Sequence, residues 1–170
     1  MNKYLISSTL ILVLLAGSNT APGQSERSLE GVWRVSKIEN DAESEANTDP
    51  LPSQMIFTKS HYSMVWSQGD SAMRAFKKRW APTNNEILKR FWEITVNTGT
   101  YKIDGHKIRT EPTIARFPEF MGGHMIYNLR WSDDKIVLTL MDEYTFDGVQ
   151  APWVALRGGQ RQVTLTRVSD

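Results

Sequence analysis

The chain has 170 residues, 40% hydrophobic and 23% charged, a balance that suits one globular domain and excludes a disordered one. Its formal net charge of +1 argues against non-specific nucleic-acid binding, which depends on neutralising phosphates. It contains no cysteine, so no disulfide staples the domain and the core must hold it.

The chain opens with Lys3, then a nearly unbroken apolar run over residues 5–16, then the small and turn-forming residues Gly17-Ser18-Asn19-Thr20-Ala21-Pro22-Gly23. A positive start, a short apolar run and a small-residue exit read as a secretory signal peptide over residues 1–23. The run is shorter than the ~20 residues that span a bilayer. Cleavage after Ser18 or after Gly23 fits equally. The expected location is therefore outside the cytoplasm, periplasmic or secreted. Without residues 1–23 the chain carries 19 basic and 19 acidic residues and is formally neutral.

Residues 24–30 read as a linker and residues 31–168 as the folded domain. Gly31-Val32-Trp33-Arg34-Val35-Ser36-Lys37-Ile38 is a first strand, and the polar stretch 40–52 is a solvated loop. Residues 54–58 and 62–67 form a hairpin, with Tyr62, Met64 and Trp66 on one face because side chains alternate along a strand. Met73, Phe76 and Trp80 then fall at helical spacing, ending at Pro82. Thr83-Asn84-Asn85-Glu86 has the pattern of a capping box for a second helix, whose Ile87, Leu88, Phe91 and Trp92 are expected to pack on the sheet or close one end. The basic residues Arg74, Lys77, Lys78, Arg79, Lys89 and Arg90 read first as a solvated face; the alternative is attraction of an anionic ligand or lipid surface.

Strands resume at 100–103 and 107–115 around Asp104-Gly105-His106, a strong hairpin signal, and Pro112 suggests a bulge or an edge in the second of them. Residues 125–131 and 135–141 flank a turn at Ser132-Asp133-Asp134, residues 146–159 read as loop, and 162–168 close the chain. Eight strands joined mostly by short turns predict an all-β fold: an eight-stranded antiparallel up-and-down barrel with a short helical insertion between strands 3 and 4. Eight strands close around a space able to hold one small ligand.

Four segments carry a resemblance across residues 29–168. They are the Gly-x-Trp strand Leu29-Glu30-Gly31-Val32-Trp33-Arg34-Val35; Gln54-Met55-Ile56-Phe57-Thr58 with Tyr62-Ser63-Met64; Asn97-Thr98-Gly99-Thr100-Tyr101-Lys102-Ile103-Asp104-Gly105; and Leu165-Thr166-Arg167-Val168. In their order and spacing the chain resembles the bacterial and fungal lipocalin-like domain family. The resemblance implies a lipocalin-like barrel in which Trp33 closes the base and Arg167 packs across it, a structural pairing. It does not name a ligand, and the Thr-Asp-Tyr motif of longer lipocalins is missing.

His61, His106 and His124 fall at or near turns, without the spacing of a metal site. No Gly-x-Ser-x-Gly elbow, phosphate-cradling loop or HExxH occurs. No catalytic residue, metal or cofactor is expected. The candidate ligand-binding residues are the aromatic set Tyr62, Trp66, Tyr101, Tyr127 and Trp153, the adaptable Met64, and the strand pair Arg109 and Glu111. Arg109 and Glu111 share one face; a solvent-facing strand accounts for them, while turned inward they would pair or grip a ligand carboxylate. The leading expectation is a binding module for a small hydrophobic or amphipathic molecule. The rivals are a cofactor-free isomerase or cyclase using Tyr101, Arg109 and Glu111 inside the barrel, and an envelope structural or interaction module. No nucleic-acid partner is expected, membrane contact is left open without being predicted, and the sequence does not fix an oligomeric state.

Overall fold

A computed structural model describes residues 28–40, 45–68, 74–156 and 161–168. The expected signal peptide lies outside the described residues, as does Met73. The eight strands are β1 (Gly31–Glu39), β2 (Gln54–Phe57), β3 (His61–Ser67), β4 (Ile94–Asp104), β5 (Lys107–Ala115), β6 (His124–Ser132), β7 (Lys135–Tyr144) and β8 (Gln162–Arg167). Each pairs antiparallel with its sequence neighbours, and β1 also pairs with β8, so the sheet closes into an up-and-down barrel. Closure pairs the strand edges that an open sheet would leave exposed.

The inward rows follow from side-chain alternation. Trp33 and Val35, Met55 and Phe57, Ile108 and Thr110, and Val163 and Leu165 are all buried. Three bulges interrupt the alternation, between Val35 and Lys37, between Thr98 and Gly99 against β5, and between Ile126 and Tyr127 against β7. The second leaves Thr113 unpaired, next to the Pro112 that suggested it. Here β4 and β5 approach so closely that a Cβ on Gly99 would collide with the Glu111 carbonyl oxygen.

Connections alternate in length. Residues 58–60, 105–106 and 133–134 make tight turns at one end of the barrel. The long connections, 40–53, 68–93, 116–123 and 145–161, leave and rejoin the strands at the other. The tight-turn end is plugged. Trp33, Phe57, Tyr101, Ile108, Leu129, Ile136 and Leu165 fill it, and Trp33 meets Trp131 edge-on with ring centroids 6.1 Å apart. Burying each such side chain is worth about 1.5–3 kcal/mol.

The Arg167 guanidinium lies 4.3 Å from the Trp33 ring centroid, and it donates to the carbonyls of Glu30 at 2.6 Å and Ser28 at 2.5 Å. Trp33 Nε1 donates to the Leu29 carbonyl at 2.8 Å. Gly31 makes this clasp feasible. Its φ of 132° is one that side chains disfavour, and a Cβ there would run into the Arg167 guanidinium. The glycine and tryptophan of the opening strand therefore serve the same contact.

The helical insertion differs from expectation in two respects. Only one helix forms, α1 (Asn84–Glu93), with the reciprocal Thr83–Glu86 capping box in place. The described part of the predicted first helix, residues 74–82, has no helix, and Trp80 sits at φ 62°. The reason is physical: so short a run is well below the ~12–15 residues a helix needs without a packing partner. Lys77 N instead donates to Glu86 Oε1 at 2.9 Å, which draws the segment onto the start of α1. That hydrogen bond, with those from Thr83, holds the Glu86 carboxyl at about 2, well below the usual range. The second difference is exposure: α1 has no buried residue, so its apolar stripe only borders the barrel wall, with Trp92 at the barrel's open end. A further short helix, α2 (Pro152–Leu156), forms inside the stretch read as loop.

Candidate functional site: a cavity at the long-loop end

Above the plug the barrel is hollow. A cavity of about 240 Å³ is bounded by Met64 and Trp66 from β3, Asn97 from β4, Met125 and Tyr127 from β6, Leu138, Leu140 and Glu143 from β7, and Val163 from β8. Phe117 and Phe120 from the β5–β6 connection, Trp92 at the end of α1 and Trp153 of α2 surround its mouth.

The floor is polar. Tyr62 Oη donates to Asn97 Oδ1, Asn97 Nδ2 approaches Met125 Sδ at 3.9 Å, and Tyr127 Oη donates to Met125 Sδ at 3.3 Å. These contacts separate the cavity from the aromatic plug. Burial pushes the Tyr62 phenol well above its ordinary range; the Thr110 hydroxyl opposes this and the Glu143 charge adds to it. Burial raises Tyr127 further, with Glu143 and Tyr62 adding and Arg161 opposing.

Glu143 reaches the interior through a change of register. Ile136, Leu138 and Leu140 face inward at alternate positions. Met141 is then the extra residue of the bulge, because Tyr127 pairs with Leu140 while Ile126 pairs with Asp142. One inserted residue exchanges the two faces. Glu143 therefore turns in, and its Oε2 accepts a hydrogen bond from Trp153 Nε1 at 2.6 Å. Ala151 N donates to the Glu143 carbonyl at 2.8 Å, and Trp153 packs against Phe120 with centroids 5.6 Å apart, so α2 is tied down beside the mouth. The Arg161 guanidinium also lines the cavity; it lies 5.3 Å from the Trp66 ring centroid, and its Nε donates to Asn40 Oδ1 at 2.9 Å. A carboxylate and a guanidinium thus share a largely apolar chamber.

The mouth carries a second cation. Arg116 Nη1 donates to the carbonyls of Phe91, Trp92 and Ile94 at 3.0, 3.2 and 2.8 Å, satisfying groups that the end of α1 leaves without helical partners. Its guanidinium carbon lies 4.4 Å from the Phe117 ring centroid.

The structure brings Met64, Trp66, Tyr127 and Trp153 together around this cavity, with Tyr62 directly beneath it. Tyr101 belongs to the plug, and its hydroxyl donates to the Thr58 carbonyl at 2.7 Å. Arg109 and Glu111 are not part of the site. They face solvent and pair with each other at 3.2 Å, with side chains 47% and 49% exposed. Ile108, Thr110 and Pro112 take the inward row instead, because burying them costs far less than burying two charges. Tyr101, Arg109 and Glu111 do not surround one void, and the proton-transfer reading built on them loses its motive. Sequence reasoning missed Asn97 and Arg161 as lining groups, and read Glu143, with Asp142, only as able to reach the rim from the end of its strand.

Comparison with known protein families, with curated proteins and with solved structures gives no match. Among the described residues, no group of His, Asp and Glu side chains is placed to hold a metal ion.

The buried phenols make a prediction. A phenol raised in the folded state stays protonated there, while the unfolded chain ionises near pH 10. Stability from Tyr62 and Tyr127 is therefore complete below about pH 10 and declines as pH rises beyond it, by up to ~1.4 kcal/mol per pH unit per phenol. Phenolate absorbance should show these two tyrosines ionising only as the protein unfolds. Ionisation of every tyrosine near pH 10 in a still-folded protein would contradict the interior placement.

Proposed function

We propose that the protein is an exported, lipocalin-like barrel that holds a small hydrophobic or amphipathic molecule in its interior. The observation that carries this reading is the cavity: apolar walls from Met64, Trp66, Leu138, Leu140 and Val163, with Glu143 and Arg161 also facing it. Apolar walls supply affinity, while a few fixed polar groups orient the guest. An apolar cavity of about 150 Å³ takes up benzene. On that scale about 240 Å³ suits a molecule of roughly ten non-hydrogen atoms, or the polar end of a longer one reaching the mouth. The Glu143 carboxylate and the Arg161 guanidinium at the chamber favour a guest with an apolar body and one polar head.

The export reading rests on the charge and hydropathy order of residues 1–23. The lipocalin-like reading rests on the opening Gly31-Val32-Trp33 and the closing Arg167, joined by the clasp described above. The test is to incubate the purified protein with metabolite and lipid extracts and to identify whatever stays bound by mass spectrometry. A retained small molecule, displaced in competition and absent when the cavity is filled, is the expected result. Retention of nothing above background would overturn the proposal.

A further inference from the structure

We propose that the face formed by α1 and residues 74–82, beside the mouth, docks onto an anionic lipid bilayer. The first observation is a group of exposed apolar side chains on this one segment. Trp80 is 91% exposed, Ile87 51%, Leu88 57% and Trp92 55%, whereas the inward rows of the barrel are closed. An apolar groove lined by Phe76, Ile87, Phe91, Ile94 and Ile114 continues this face onto the barrel wall. A soluble surface rarely gathers so many large apolar groups without a partner.

The second observation is charge. Residues 74–93 contain six basic and two acidic side chains. Both acids are engaged locally: Glu86 accepts from the backbones of Lys77 and Thr83, and Glu93 pairs with Lys89 at 3.5 Å. What faces outward is aromatic, aliphatic and cationic at once. Tryptophan settles at the headgroup level, aliphatic side chains enter the acyl boundary, and Lys and Arg are drawn to anionic lipid. A second copy of the chain fits less well, because a symmetric contact would set one cationic face against another. Docking is superficial, since among the described residues no helix is long and apolar enough to cross a membrane.

The third observation is continuity. The outer groove and the inner cavity share Val96, Ala115 and Arg116 as lining residues. A bilayer under α1 would therefore lie against the mouth, and an apolar guest would pass between lipid and cavity with little exposure to water. This last step rests on the proposed function; the docking does not.

The experiment is cosedimentation of the full chain with vesicles of phosphatidylcholine alone or mixed with phosphatidylglycerol. We expect binding to the anionic vesicles that weakens with added salt. Each basic residue near such a surface contributes about fivefold, so Lys77→Glu with Lys78→Glu should weaken partitioning roughly 30-fold or more. Trp80→Ser with Leu88→Ser, neither of which lines the cavity, should also weaken it. Any contribution from residues 5–16 is common to all variants and does not need anionic lipid. Equal binding to both vesicle types, wild-type binding by the charge-reversed variant, or no binding would overturn the docking. Self-association that Trp80→Ser abolishes, without vesicle binding, would assign the face to a second copy instead. Loss of vesicle binding with ligand retention intact leaves the carrier reading standing, and the reverse outcome leaves the docking standing.

Discussion

Replacing Trp33 by alanine should lower the unfolding free energy by about 3–5 kcal/mol, as truncation of a fully buried aromatic does. Trp33 is 1% exposed and sits in the plug against Trp131. Truncation removes that packing, opens a void where the tight turns leave little room to collapse, and deprives the Leu29 carbonyl of its donor. It also strips Arg167 of the ring it lies on. Arg167→Met keeps an apolar stem of similar reach but loses the donors to Ser28 and Glu30, and should cost about 1.5–3 kcal/mol. Because the two side chains share one contact, the double variant should cost less than the two single losses together. Urea unfolding of the four proteins gives all these quantities. A Trp33→Ala loss under about 1 kcal/mol, in the range of ordinary surface changes, would mean that the plug does not hold the barrel shut.

Filling the cavity should abolish guest binding without weakening the fold. Leu140 lines the chamber from β7 and is only partly buried, so Leu140→Trp can swing its larger ring into open space. We expect at least a hundredfold loss of affinity for whatever the wild type retains. The midpoint of unfolding should hold or rise, because the ring gains neighbours and displaces none. A variant that stays folded and still binds as the wild type does would place the guest elsewhere. A sharp fall in stability would show that the space is not available, which also removes the proposed chamber.

Most of the frame was legible from side-chain alternation and turn chemistry. Asp104-Gly105 and Ser132-Asp133-Asp134 mark tight turns, and the strands beside them read correctly. Thr83 and Glu86 announced the start of α1. The start of β4 did not read. It begins at Ile94, yet Thr95 and Asn97 line the cavity while Val96 is 36% exposed, so apolar and polar rows are exchanged relative to an ordinary half-buried strand. The exchange arises because the inward row borders the chamber and the outward row borders the apolar groove. Glu143 was hidden for a different reason: its orientation depends on the Met141 bulge, and one added residue in a ladder leaves no mark in composition. Trp80 misled in the opposite direction. Helical spacing with Phe76 suggested a packed stripe, but no element stands over it and the backbone bends at that residue. The candidate site read best where bulky side chains cluster, at Met64, Trp66, Tyr127 and Trp153. It read worst where charge is involved: Arg109 faces solvent from β5, whereas Arg161 reaches the chamber from the connection just before β8, and nothing in the composition separates the two.

The alternation of short and long connections also determines where the chain enters and leaves. Ser28 and Val168 both lie at the plugged floor, where Val168 N donates to the Val32 carbonyl at 2.9 Å. A fusion partner or a solid support joined directly at Ser28 or Val168 therefore starts from the far side of the barrel from its aperture. Immobilised that way, the protein keeps its aperture facing the bulk solution, and capture measured on a sensor chip should match capture measured free.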